Sequence, residues 1–509
     1  MSSLSRVAIL CGLLLATPAS VRSADTPEVK AIKAKLEKLE GSVFGDQDDG
    51  HRVWLSLVKA ENLDAAITLA AGLPKVIDFE VGREATDARL AAVASNHPGL
   101  LTLNAGFAEA VTDKGVASVA KLTKLTHLVL SHNRKVSPGG LARLTGLTAL
   151  ESLSVGGIDL AGRASLLAAF PKLTKLSAYD CAFTDADMAV LAKLPNLTEL
   201  DLSRNDQVTD AGFAGLKTLA KLQRLTLDNT AIGDAGAANF AGLTAMTALY
   251  LTSTQVGDAA LAHCAGMTKL QYLVVGSTKV RGPGLRHLAK LTELEGLGLD
   301  QLPDFTGEGL EHLAGCPKLT KLQLSWTGIN DAGLAKIQAI KQLTFLDLPP
   351  YGYSRAPEEF WKDLQPKRLT DAGLKSVSGM ANLTAFWVAG GGVTDAGVAH
   401  LAALKNLESL GFGVLPNVRG PGLAALAALP KLEGLTLTDT GVTDDGLKAL
   451  AGLKQIKFLW LPRGSTAAGL VHIAKLQQLE TVVVPGAWPA ADFEAARKAF
   501  PKATVRQQN

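Results

Sequence analysis

Apolar residues recur along this chain at one fixed spacing. In VTDAGVAHLAALKNLESLGFG, residues 393–413, they stand at Val398, Leu401, Leu404, Leu407, Leu410 and Phe412. The series returns at Met188, Leu191, Leu194, Leu197, Leu200 and Leu202, and again at Leu447, Leu450, Leu453, Ile456, Leu459 and Leu461. About seventeen such units of about 24 residues fit between Asn62 and Pro485, the self-similarity of a stacked repeat array. The LxxLxL half alternates, which predicts a short strand with its leucines on one face and the intervening residues on the other. The DAGLAxLAxL half spaces apolar residues three apart and predicts a short helix whose inner stripe meets the same core. The pattern therefore predicts an α/β solenoid. Strands about 4.8 Å apart oppose helices roughly 10 Å across, so the stack curves, with parallel strands on the concave face and helices on the convex face.

The motif VTDAGL followed by LxxLxL resembles that of exported leucine-rich-repeat proteins of the planctomycete type. The resemblance covers nearly the whole mature chain, including the lead-in AIKAKLEKLEGSVF and the closing DFEAARKAFPKATV. It implies a leucine-rich-repeat solenoid and export, and it implies no particular role. Departures are local: VSPGG at 136–140, VRGPG at 280–284 and 418–422, and an interruption at 349–368.

Outside the array the pattern changes. Residues 1–23 read as a signal peptide, with Arg6, an apolar run from Val7 to Ala16, Pro18, and a cleavage point after Ala19 or Ser23. That run is too short to span a hydrocarbon core of about 30 Å, so no membrane insertion is expected after cleavage. Residues 24–61 predict an N-terminal capping helix after Thr26-Pro27, with Val29, Ile32, Leu36 and Leu39 on one face. RVWLSLV (52–58) follows as the first strand. Residues 62–485 form the solenoid. Residues 486–509 form a closing half-repeat around Phe493, Ala496 and Phe500, with Gln507 to Asn509 fraying. Within the array, Thr112-Asp113, Thr209-Asp210, Thr370-Asp371, Thr394-Asp395 and Thr443-Asp444 open successive helices. Pro283 and Pro421 follow at the first helical position, so the aspartates are expected to be N-caps. In VSPGG the cap falls on Ser137.

Charge removes one class of partner. With 51 basic and 48 acidic residues the net charge is +3, which supplies no basic stripe for a phosphate backbone, so nucleic acid is not expected. After cleavage Cys181, Cys264 and Cys316 remain on core positions of the repeat, an odd set expected to be buried free thiols. No phosphate loop, GxSxG elbow, HExxH pair or GxGxxG after a strand occurs. His127 and Ser152 share a column without a carboxylate to complete a triad. His263, His287, His312, His400 and His472 repeat at one helix position, too far apart for a shared ion with bonds near 2 Å. The expectation is a protein that is not an enzyme and carries no cofactor or metal.

The outward strand residues carry the functional signal. They are small or polar early in the chain, at Thr102, Ser152, Ser154, Ser177, Asp201 and Thr226. Later they become Tyr250, Tyr272, Phe345, Trp387, Phe458 and Trp460. Trp387 and Trp460 fall three repeats apart in one column, about 14 Å by strand spacing, with Gly411 and Thr436 between them as the floor of a trough. The interruption follows the strand LTFLDL and brings Tyr351, Tyr353 and Trp361 beside Phe345, Asp347 and Trp387; long loops on rigid scaffolds are often binding elements. These residues are the candidate ligand-binding set of an exported scaffold that binds a protein or peptide. A carbohydrate in the same trough is the alternative ligand, and a structural or assembly protein with no groove ligand is the alternative role.

Overall fold

The structure, a computed structural model, describes residues 25–46, 48–348, 369–390 and 392–508. The expected signal peptide and the 349–368 interruption, with Tyr351, Tyr353 and Trp361, lie outside the described residues. The chain divides into two compact units, Met1–Ile158 and Asp159–Asn509.

In the first unit the strands Val76–Glu80, Thr102–Asn104, His127–Val129 and Ser152–Ser154 pair in parallel, one per repeat, behind His51–Trp54. In the second unit the strands from Lys175–Ser177 to Thr504–Gln507 pair in parallel, each with the next. The middle residue of each strand aligns with the next, as in Leu225, Leu249, Leu273 and Leu297, and each of these is at most 1% exposed. Burying one such leucine contributes about 1.5–3 kcal/mol relative to leaving it in water, so register is fixed repeat by repeat. A slip of one residue would turn every leucine outward.

The opposite side of each repeat is helical, and its three-residue apolar spacing suits a tight helix. Leu447 and Leu450 lie in the 3₁₀ helix Gly446–Gly452, and Leu423 and Leu426 in Pro421–Ala428. A helix of three residues per turn puts such positions in one line. All four are buried. Among the described residues no helix is long and apolar enough to cross a membrane.

The helix starts correct one expectation. At three of the five pairs the N-cap is the threonine: Thr112, Thr370 and Thr394 accept from the backbone N–H of Lys114, Ala372 and Ala396, while after Thr209 and Thr443 the helices begin later, at Gly212 and Gly446. In these three the following aspartate is the first helical residue, and along the array such carboxylates reach the next repeat. Asp371 Oδ1 accepts from the Thr394 N–H at 2.8 Å, and its Oδ2 from Thr394 Oγ1 at 2.7 Å. Asp87 does the same to Thr112, Asp185 to Thr209 and Asp444 to Thr466. Each carboxylate thus fixes the entry of the helix after its own. The glycine of the DAG motif follows from this clamp: a Cβ on Gly397 would sit 2.2 Å from Asp371 Oδ1. Ser137 caps as expected, accepting from the Gly139 and Gly140 N–H groups.

The ends are covered, with two differences from expectation. The helix Pro27–Lys38, capped by Thr26, buries Val29 and Leu36. The strand that follows in the parallel series is His51–Trp54, and Ser42–Phe44 precedes it, pairing antiparallel with it. The other three-residue strands are readable because the repeat marks them, and Ser42–Phe44 lies outside the repeat. At the other end the helix Ala490–Ala499 leads into Thr504–Gln507. Gln507 does not fray: it lies in that strand, and its Nε2 donates to the Trp488 carbonyl at 2.8 Å.

Candidate binding surface

The outward positions of the second unit form two columns. One runs Ala248, Tyr272, Gly296, Lys321, Phe345, Ala385, Ser409, Gly434, Phe458 and Thr481. The other runs Tyr250, Val274, Gly298, Gln323, Asp347, Trp387, Gly411, Thr436, Trp460 and Val483. Tyr250, Tyr272, Phe345, Asp347, Trp387, Phe458 and Trp460 therefore share one sheet face, and Trp387 and Trp460 are three strands apart in one column.

Their surroundings differ. Tyr250 and Tyr272 are half-buried and tied to neighbours. Arg224 Nη1 donates to the Tyr250 hydroxyl at 3.0 Å, and the Tyr272 hydroxyl donates to Glu295 Oε2 at 2.9 Å. That bond to Glu295, with burial second, raises the Tyr272 pKa. Phe345 and Trp387 stack at 5.2 Å between centroids, tilted by 45°. Phe458 and Trp460 stand clear, 44% and 36% exposed.

The floor of the expected trough is partly filled. A Cβ on Gly411 would lie 2.0 Å from Trp387 Cδ1 and 2.4 Å from its Nε1. The indole thus lies across Gly411, which is buried although it faces outward. Tyr272 leans over Gly296 in the same way, its Cδ1 2.9 Å from a Cβ built there. The ring covers backbone that the glycine leaves bare. The open part of the trough is correspondingly narrower, lying over Gly434 and Thr436. A glycine one repeat after an outward aromatic is the sequence signal for this arrangement.

Asp347 is the unusual polar group. Its Oδ2 accepts from Ser325 Oγ at 2.7 Å, while its Oδ1 is buried and, among the described residues, has no hydrogen-bond partner. Burial pushes its carboxyl up to about 7, with the charge of Asp300 adding to the rise and the Ser325 bond opposing it. Asp300, which accepts from the Ser325 N–H at 3.1 Å, is itself pushed up to about 6 by burial. Ser325 and Asp300 were not evident from sequence, because neither belongs to the two outward columns.

The other candidates have plain structural places. His127 and Ser152 face each other in register in the first unit, and His127 Nδ1 pairs with Thr126 Oγ1 at 2.9 Å. Cys181, Cys264 and Cys316 are buried free thiols, and burial pushes Cys264 to about 12 and Cys316 to about 11. Among the described residues no three His, Cys, Asp or Glu side chains come together as a metal site.

The Leucine Rich repeat family matches residues 121–144, 193–216, 315–337 and 428–451. No curated protein matches the sequence. Among solved structures, an internalin of Listeria monocytogenes is 22% identical, covering 78% of this chain and 93% of its own, at a TM-score of 0.48. A leucine-rich-repeat protein of Leptospira interrogans is 16% identical, covering 87% and 98%, also at 0.48. The ectodomain of a plant membrane receptor kinase from Arabidopsis thaliana, in complex with Casparian strip integrity factor 2, is 15% identical, covering 92% and 60%, at 0.45.

Proposed function

We propose that this chain, a leucine-rich-repeat solenoid by its strands and its matched repeats, is an exported, non-catalytic scaffold that binds a protein or peptide. The binding face is the aromatic strand face from Tyr250 to Trp460, with the 349–368 interruption beside it. Solenoids of this kind present extended surfaces used for recognition, but fold alone does not assign function. The observation that carries the reading is the exposure of Phe458 and Trp460 on a rigid strand whose core face is fully packed. Aromatic side chains held in place lose little freedom on contact, and Trp and Tyr dominate protein-binding hot spots. The matched family is a structural repeat and not a family of enzymes, in keeping with a binding role. Export rests on the pattern of residues 1–23.

The test is affinity capture from the envelope fraction of the producing organism, with wild type beside Trp460→Ala. A partner held by wild type and lost with the variant supports the reading. A partner held equally by both sends the search to another face.

A further inference from the structure

Within that reading, on which this step rests, we infer that the notch over Gly434 takes a basic peptide segment: an apolar side chain on the floor, a lysine or arginine at the rim. The notch is built from three strands. Ser409, Gly434 and Phe458 stand in register, as do Gly411, Thr436 and Trp460. Gly434 differs from Gly411 in being uncovered. The nearest atoms to a Cβ built on it are Ser409 Oγ at 3.4 Å and Ser409 Cβ at 3.8 Å, ordinary contact distances. One side-chain volume is thus open, with Ser409 on one side and Phe458 on the other.

The rim beside this notch carries the charge. The residue before each strand accepts the backbone N–H groups of the next repeat, which lines these residues up along one edge. The line runs Thr174, Thr198, Gln223, Thr247, Gln271, Glu295, Thr320, Thr344, Thr384, Glu408, Glu433, Lys457 and Glu480. Up to Thr384 the line is neutral except for Glu295, which is bonded to Tyr272. Beside the notch it turns to three carboxylates and one ammonium. Lys457 Nζ pairs with Glu433 Oε1 at 2.7 Å, which leaves the exposed carboxylates of Glu408 and Glu480 in excess along this line; the nearby Lys405 and Lys431 ammonium groups donate to the Ala428 carbonyl and Asn406 Oδ1. On the far side Arg463 and Asp439 are paired at 2.8 Å. An open space over Gly434 walled by Phe458, with one acidic rim, fits an apolar residue near a basic one, since complementary charge steers encounter and fixes register. A peptide on this face finds the strand backbones already paired with each other, so side chains carry its recognition.

Gly434 gives a test that leaves the fold intact, because it sits in the extended strand Gly434–Thr436, where a β-branched residue is favoured. A random-peptide phage library is panned on the full chain, and enriched peptides are titrated against wild type, Gly434→Val, Phe458→Ala, Trp387→Ala, Trp460→Ala and the double variant Glu408→Gln/Glu480→Gln. The expected result is peptides with an apolar residue beside lysine or arginine. Binding should weaken about tenfold or more in Gly434→Val and in Phe458→Ala, and severalfold in the double variant, with affinity falling as salt rises. Enriched peptides that bind Gly434→Val as well as wild type, or that carry no basic residue, overturn this inference; if they still need Trp387 or Trp460, the broader reading stands. No enrichment at all overturns both. Wild-type binding on a glycan array that Gly434→Val abolishes assigns the notch to carbohydrate and overturns the peptide assignment.

Discussion

Asp331 clamps Thr370 across 39 residues of chain: its Oδ1 accepts from the Thr370 N–H at 2.9 Å and its Oδ2 from Thr370 Oγ1 at 2.6 Å. Between Asp371 and Thr394 the same clamp spans 23 residues. The sheet shows the same skip, since the Thr384 N–H reaches the Thr344 carbonyl 40 residues back, while Thr344 reaches Thr320 over 24. The repeats on either side of the interruption are therefore stacked as ordinary neighbours.

From this stacking we expect the fold to form without the interruption. Replacing residues 349–368 by Thr-Asp-Thr-Gly, the residues between Leu437 and Val442, restores an ordinary repeat length. Loop shortening of this kind changes closure entropy by only about 1.4 kcal/mol. The urea midpoint should stay within that margin of wild type, while partner capture should fall if the interruption contacts the partner. A loss of cooperative unfolding would show that the interruption is part of the core.

The clamp can be weighed directly. Asp371→Ala removes two hydrogen bonds to Thr394 and leaves its N–H and hydroxyl to water, at a cost of about 1–3 kcal/mol. Gly397→Ala should also destabilise, although alanine is the better helix former by about 1 kcal/mol, because its Cβ would strike Asp371 Oδ1. In the Asp371→Ala background the same alanine should cost much less. A double-mutant cycle in urea reads the coupling. Additive effects would mean that the two residues do not meet.

Trp387 supplies a third prediction. Gly411→Ala must push the indole off the strand, and overpacking of this kind costs about 1–3 kcal/mol. Near-ultraviolet dichroism should change and partner binding should fall. Gly434→Val, with open space above it, should leave both stability and dichroism nearly unchanged.

Those two glycines also mark how far the sequence could be read. The period and the LxxLxL alternation suffice for the solenoid, because burial of each leucine depends only on spacing. The columns follow from the same arithmetic, so Trp387 and Trp460 could be placed on one face. What escaped is which way a side chain leans along the stack. Trp387 could equally have stood upright over an open Gly411, and only packing decides that. The aspartates escaped for the same reason: capping its own helix and capping the next require the same residue one position from the threonine. Ser42–Phe44 is short, and its pairing depends on a partner not fixed by the repeat.

Asp347 sets a pH dependence of definite sign. Its carboxyl titrates at about 7 in the folded protein and near 3.9 in an unfolded chain. Between those values the folded state holds the proton that the unfolded state has released, so this group's contribution falls as pH rises from about 4 to about 7. Below that window the folded and unfolded forms are both protonated, and the penalty vanishes. Above it both are ionised, and a buried Oδ1 without a partner bears the full cost. Asp347→Asn keeps the site neutral and should be more stable than wild type above pH 7, by at most about 4 kcal/mol, and nearly equal to it at pH 4. Asp300, also raised by burial to about 6, adds a slope of the same sign in both proteins. Urea midpoints of both proteins at pH 4, 5.5 and 8 read the difference. A gap that does not change with pH would place the Asp347 carboxyl in water, and with it the claim that burial governs this part of the strand face would fall.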